Sequence, residues 1–243
     1  MAGLLWAERR RPLRGDDSGP VRVAVNLALG AVSLAVMAPQ RRITAALAGR
    51  VAARGQGVVQ QLAGPVWLRD AAAFALLDWS MYHWHVATHR VPAFWRLHLV
   101  HHADQAMDTS TALRFHALDM ALSLPLRMAQ VRLLGVSPRA LMLWEGFFGA
   151  SVLFHHSNWR VPADAAVSLI LTTPAMHDIH HRADAAGLDS NYSSGFSLWD
   201  RLHGTFRSAA VTAPIGVPEL DHAPGLAGSL LLPFAAPLAG GNQ

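Results

Sequence analysis

Hydrophobic residues in this chain fall in long runs rather than in the period-two alternation of half-buried strands, so the pattern predicts helices throughout. Val21 to Met37 is apolar except for Arg22, Asn26 and Ser33. At about 1.5 Å per residue, such a run approaches the thickness of a bilayer core. Arg41 and Arg42 follow it. Ile43 to Leu62 then mixes Ala, Val and Leu with Arg50, Arg54, Gln56, Gln60 and Gln61, which predicts a separate amphipathic helix lying in the membrane interface. Pro65 to Trp84 is the second candidate span. Pro65 suits a helix start, and Arg69, Asp70 and Asp78 require a bundle interior or a polar cavity. Met120–Leu134 and Ala140–Leu153, joined by the turn signal Gly135-Val136-Ser137-Pro138, predict a helical hairpin. Ala165 to Met176 is a shorter apolar stretch closed by Pro174, and the tail from Pro224 to Leu238 is apolar but broken by Pro233 and Pro237.

Together these elements predict an all-α fold: an integral membrane bundle of about two spanning helices plus the hairpin, under a cytosolic helical cap. The expected organisation is a basic arm over 1–20, a membrane domain over 21–210 and a tail over 211–243. There is no internal repeat. Composition strengthens the membrane reading, since 52% of the 243 residues are hydrophobic and only 15% charged. Arg9, Arg10, Arg11 and Arg14 precede the first apolar run, as in an uncleaved positive-inside anchor rather than a nucleic-acid-binding arm. With the N-terminus cytoplasmic, the second span returns the chain to the cytoplasm near His83 and His85.

The absence of cysteine excludes disulfides, iron–sulfur clusters, thiolate haem ligation and Cys-type zinc sites. Histidine is abundant instead, with 14 residues. Three clusters stand out: His85-Val-Ala-Thr-His89, His98-Leu-Val-His101-His102 and His177-Asp-Ile-His180-His181. Offsets of three and four put side chains on one helix face, so the clusters can aim eight imidazoles at one region. One zinc needs three or four ligands and a haem one or two. Eight suit two ions with positions left open. Imidazole binds iron, zinc and copper alike, so the ligand list does not choose the metal. A transporter would carry its ligands near mid-membrane in repeated halves, and a zinc protease would need His-Glu-x-x-His, which is absent.

The order of these motifs resembles the fatty acid hydroxylase and sterol desaturase superfamily, from about Asp78 to Phe206. Matching flanks include Asp78-Trp-Ser-Met-Tyr82-His-Trp84, Phe94-Trp95-Arg96-Leu-His98, Phe154-His155-His156-Ser157-Asn158, Asn191-Tyr192 and Leu198-Trp199-Asp200-Arg201-Leu-His203-Gly204-Thr205. Two positions depart from the pattern. Ala117 follows Arg114-Phe-His116 where proline is usual, and His203 stands where phenylalanine is commoner. The resemblance implies a membrane-bound non-haem di-iron oxygenase. It would use O2 and two electrons from a separate reductase to hydroxylate or desaturate a lipid, with zinc able to replace iron in purified protein. A carotenoid-type hydroxylase and, from another class, a histidine-rich metal transporter are the alternatives.

The resemblance adds His156 as a ninth ligand, with His155 as its rival. Asp78, His116, His155, Asn158 and Asp178 are candidates to support the ligands, with Asp78 accepting an imidazole N–H. Asp184 is a similar candidate beside the third cluster. Asp189, Asn191 and Asp200 are expected to fix the fold around that cluster. Arg114 is expected either to pair with Asp119 or to hold a lipid headgroup. Trp79, Trp84 and Trp95 are expected to anchor at the interface or line a channel. His83 and His203 are expected to be structural, and His222 incidental.

Overall fold

The computed structural model describes residues 2–15, 19–209, 211 and 213–235. Among them there is no β-strand, only three isolated bridges. Eleven α-helices follow in order: α1 Ala2–Arg10, α2 Pro20–Ala53, α3 Val66–Arg90, α4 Pro92–His102, α5 Ala117–Leu134, α6 Pro138–His155, α7 Asp164–Val167, α8 Pro174–His180, α9 Ala185–Leu188, α10 Leu198–Leu202 and α11 Leu226–Leu231. The long helices α2, α3, α5 and α6 form a bundle. A core of Ala48, Val51, Leu77, Val131, Leu141 and Trp144 lies toward one end of it. The short elements gather at the other end, where the histidines lie.

Helix α2 corrects the expectation of two separate helices. Pro20 opens it, and it runs unbroken for 34 residues past Pro39 to Ala53. Arg41 and Arg42 are good helix formers, and Pro39 is the only helix-breaking residue between Met37 and Ile43. An interior proline costs about 3 kcal/mol, and packing along α5 offsets it. Asn26, Ser33, Gln40 and Thr44 are buried on this helix. Asn26 donates to Asp104 (2.9 Å), Ser33 to the Phe115 carbonyl (3.0 Å) and Gln40 to the Met120 carbonyl (3.1 Å). Val21, Leu27, Val32, Leu34 and Ile43 are exposed. Over this stretch buried polar residues sit opposite exposed apolar ones, whereas a helix on a water-soluble protein keeps its apolar stripe inward; Leu29, Ala48 and Val51 are apolar residues of α2 that are buried. Within Pro20–Gln61 lies the only stretch among the described residues long and apolar enough to cross a membrane.

The remaining boundaries follow local chemistry. Helix α3 ends at Val91-Pro92, because the residue before a proline leaves the helical region and Pro92 starts the next helix. This turn folds His85 and His89 against the α4 histidines. His116 caps α5, accepting from Leu118 N at 3.2 Å, and left-handed Gly135 (φ 83°) ends it. Ser137 caps α6 ahead of Pro138, so the expected hairpin is present. Pro174 opens α8 behind Thr173 rather than closing an apolar helix. The tail packs on the protein: α11 lies on α2 and the Leu232–Phe234 turn after it lies on α4, while Ser229 and the Pro224 carbonyl accept from Arg114.

Gly135 is doubly constrained. A side chain there would be strained by the left-handed backbone and would overlap the Gln56 carbonyl, while its own carbonyl accepts from Gln60 at 2.6 Å. Gly135→Ala should therefore lower stability by about 1–2 kcal/mol or more. Gly146→Ala, whose Cβ would meet nothing within 4 Å, should be neutral or slightly stabilising. Thermal unfolding of the two detergent-solubilised variants checks this, and equal melting temperatures would contradict it.

Candidate metal centre

Two groups of four buried histidines converge: His85, His89, His98 and His102 in one, and His101, His156, His177 and His181 in the other. Within each group the candidate ligand atoms lie within 4.8 Å of one another. The α3–α4 turn supplies the whole first group. The second draws on α4, on the residue just after α6, and on α8 with the residue that follows it. His180 belongs to neither group of four, but its Nε2 lies 3.1 Å from His85 Nε2. The nine residues expected from sequence are thus brought together.

Hydrogen bonding shows what these nitrogens can do. A backbone carbonyl only accepts, so an imidazole nitrogen beside one must carry the proton. His85 Nδ1 donates to the Tyr192 carbonyl (2.6 Å), His101 Nδ1 to that of Arg114 (3.3 Å), His156 Nδ1 to that of Val152 (2.7 Å) and His180 Nδ1 to that of Ser190 (2.7 Å). In the neutral ring each Nε2 is then a bare lone pair. Yet His101 and His156 face each other Nε2 to Nε2 at 3.0 Å, as His85 and His180 do at 3.1 Å. Neither contact is a hydrogen bond between neutral rings, because both protons are already used outside.

Protonation offers no relief. Burial, reinforced by neighbouring histidines, lowers the pKa of His101, His102, His177 and His181 well below the ordinary value. Burial also lowers His156 to about 4 and His180 to about 3. A metal ion resolves the opposition. Two nitrogens about 2.1 Å from one ion and at right angles lie about 3.0 Å apart. His89 Nε2, His98 Nε2 and both nitrogens of His102 are buried with no hydrogen-bond partner among the described residues. Such orphans are costly unless they bind a metal. The residues fit a pair of metal ions.

Several supporting residues act differently from expectation. Asp78 takes no imidazole proton; its Oδ2 accepts from Phe196 N (3.0 Å) and Trp199 Nε1 (2.7 Å), tying α3 to α10. Asn158 exchanges hydrogen bonds with the Arg14 backbone, at 2.8 and 3.0 Å. Asp178, on the third cluster, is paired with Arg14. Both hold the N-terminal arm on the cap. Arg114 neither pairs with Asp119 nor reaches a lipid. It is fully buried and donates to the Val100 and Pro224 carbonyls, to Asn26 and to Ser229. Asp119 instead lies 3.3 Å from His98 Nδ1.

His116 caps α5 and has Leu230 O as its other partner, at 3.3 Å. His155 packs against His156 and His177 with tilted rings but stands outside both groups. Asp184 accepts from Gly187 N. Asp189 accepts from Tyr192 Oη, Asp200 from Tyr192 N and Ser193 N, and Asn191 bonds Met176 and Arg207; all three shape the loop that presents Ser190 and Tyr192. Trp95 is buried against His89 and His102 rather than interfacial. Trp84 lines a cavity, and Trp79 donates to His203. His83 packs on Trp79, Tyr82 and His203, and His222 is exposed.

The cavity, about 390 Å³, reaches His85 and His98 of the first group and His101, His156 and His177 of the second. Met37, Met81, Met120, Phe115, Phe148 and Leu153 belong to its apolar wall. A mostly apolar space therefore borders both histidine groups.

The site thus consists of two buried histidine groups able to hold metal, bordering a largely apolar cavity in an all-helical fold. The chain belongs to the fatty acid hydroxylase family, whose model matches residues 71–205. It is 28% identical over 145 residues to ornithine lipid hydroxylase OlsE of Rhizobium tropici, covering 59% of this chain and 43% of that one. It is 29% identical over 160 residues to alkylglycerol monooxygenase of Danio rerio, covering 61% and 34%. It is also 29% identical over 140 residues to a cholesterol 25-hydroxylase-like protein of Danio rerio, covering 56% and 54%. The match spans less than half the length of the first two relatives. No solved structure matches.

Neutral burial of the histidines fixes the pH response. A group held below its unfolded value of 6.5 stabilises the fold fully above that pH and stops doing so as pH falls toward its folded value. For His156 and His180 these folded values are about 4 and about 3. Metal-free protein should melt at a nearly constant temperature above about pH 7 and lose stability progressively below about pH 6.5. Differential scanning fluorimetry across that window is the check; a flat profile down to about pH 4 would mean that the rings are not held neutral.

Proposed function

We propose that this protein is a membrane-bound di-iron oxygenase that hydroxylates or desaturates a C–H bond of a lipid, using O2 and two electrons from a separate reductase. The carrying observation is the opposition of Nε2 lone pairs in a buried nine-histidine cage that opens on an apolar cavity. In this reading His85, His89, His98, His102 and His180 hold one iron, and His101, His156, His177 and His181 the other. Bound iron supplies the oxidising power toward unactivated carbon that no side chain has. The named relatives are lipid hydroxylases and monooxygenases, which supports a lipid substrate.

The chain's own residues do the rest. The carbonyls of Tyr192, Ser190, Arg114 and Val152 hold the Nδ1 protons outward and the Nε2 lone pairs inward. Asp119 does the same for His98. The methionine and phenylalanine walls exclude water and align an alkyl chain, so that one segment of it meets the cage. Trp95 and Tyr192 pack the first group against displacement.

The membrane placement proposed is a bundle of about two spanning helices plus the α5–α6 hairpin, with the cage in a cap on the cytoplasmic side. Residues 21–210 form the membrane domain, preceded by the docked basic arm and followed by the tail. The apolar exposed face of α2 supports contact with lipid.

Purified protein should carry about two irons per chain and show no Soret band, although zinc can take their place during purification. His101→Ala and His180→Ala should each abolish turnover and lower bound metal. Metal analysis of the variants, with lipidomics of cells carrying or lacking the intact gene, tests the reading. A variant that keeps full metal and turnover would refute the ligand set, and one ion per chain would refute the pair.

A further inference from the structure

The cavity is not apolar throughout. On the side away from the cage it is lined by Arg41 of α2, Arg127 of α5 and Glu145 of α6. Glu145 accepts from both arginines, from Arg41 Nε at 3.2 Å and from Arg127 Nη2. Arg127 and Glu145 are nearly buried, with side chains 12% and 14% exposed, whereas Arg41 is 63% exposed. Leu34, which also lines the cavity, is 59% exposed. The cavity thus has a mouth beside α2, and three charges stand at it.

Charges on the wall of a greasy cavity are expensive, and one arginine would have sufficed to neutralise Glu145. The second leaves a surplus positive charge with guanidinium N–H groups to spare. An alkyl terminus would gain nothing from such a neighbour. A carboxylate or another acceptor-rich polar group would balance the charge and accept from the fork of an arginine. Glu145 and His155 lie on the same helix, and at about 1.5 Å per residue the ten-residue step between them is about 15 Å.

We propose that Arg41, Arg127 and Glu145 form the binding site for the anionic polar end of a single-chain lipid. The end group stays at the mouth and the alkyl chain threads inward to the cage. The triad then acts as a ruler. The carbon presented to the histidines is fixed by its distance from the polar end, about 15 Å away, and is not the carbon next to the headgroup. This assignment rests on the proposed lipid-oxidising function for its consequence, but the binding it asserts does not require oxidation.

The test uses the full chain in detergent micelles, loaded with zinc so that no turnover occurs. Hexadecanoate, its methyl ester and hexadecane are titrated calorimetrically. Hexadecanoate should bind about tenfold or more tighter than the ester and the alkane. Arg41→Gln, at an exposed position that tolerates substitution, should cut hexadecanoate affinity about tenfold, leave the alkane unchanged and be rescued in part by Arg41→Lys. Glu145→Gln, which releases both guanidiniums, should tighten hexadecanoate. Equal affinity for all three ligands, or loss of hexadecanoate and hexadecane binding together in Arg41→Gln, would overturn the proposal. If the binding pattern holds while iron-loaded protein oxidises none of these chains, the triad stands and the oxygenase reading is what fails.

Discussion

Everything in this structure is arranged around lone pairs that have been made to face one another. An imidazole has one proton to give when neutral. Here the backbone claims that proton on the outer nitrogen of His85, His101, His156 and His180. What remains on the inside is electron density with no hydrogen to share. Burial keeps the rings from charging, so repulsion can be relieved only by a cation. The cap, the loop through Ser190 and Tyr192 and the turn at Val91-Pro92 can all be understood as scaffolding for that confrontation.

The bundle solves a different problem with an inverted surface. Helix α2 turns Asn26, Ser33 and Gln40 inward, on Asp104, Phe115 O and Met120 O, and Val21, Leu27, Val32, Leu34 and Ile43 outward. Without a hydrophobic drive between helices in lipid, such inward hydrogen bonds supply cohesion and register. The same helix walls the cavity through Gly30, Ser33, Leu34, Met37 and Arg41. Cohesion and part of the cavity wall therefore reside on one element, and that couples the shape of the cavity to the packing of α2 on α5.

Much of this was legible in the residues themselves. The three histidine clusters carry helical spacing that brings donors together whatever the fold, and Gly135-Val136-Ser137-Pro138 encodes its own hairpin. What was not legible depends on partners far away in sequence. Asp78 looked like a support for His85 because it lies two turns before it; the competing partners, Phe196 N and Trp199, are contributed from the other end of the domain. Arg114 and Asp119 looked like a pair, but one is enclosed by carbonyls and the other faces His98. The outer acceptors are mostly backbone carbonyls, which leave no mark in a sequence. Asn191, at φ 49°, was the available hint, since asparagine tolerates the left-handed turn that exposes the carbonyls on either side of it.

The two histidine groups differ in how far apart their members lie along the chain. The first is complete within a single helix–turn–helix ending at His102; the second joins His101 to residues as distant as His181. Closing a short loop costs little entropy and closing a long one costs more. During synthesis the first group can assemble as soon as α3 and α4 have emerged. The second exists only when the whole domain has folded. The cage therefore carries its own record of completion, with four local histidines that can meet early and a remote remainder, His180 included, that arrives last.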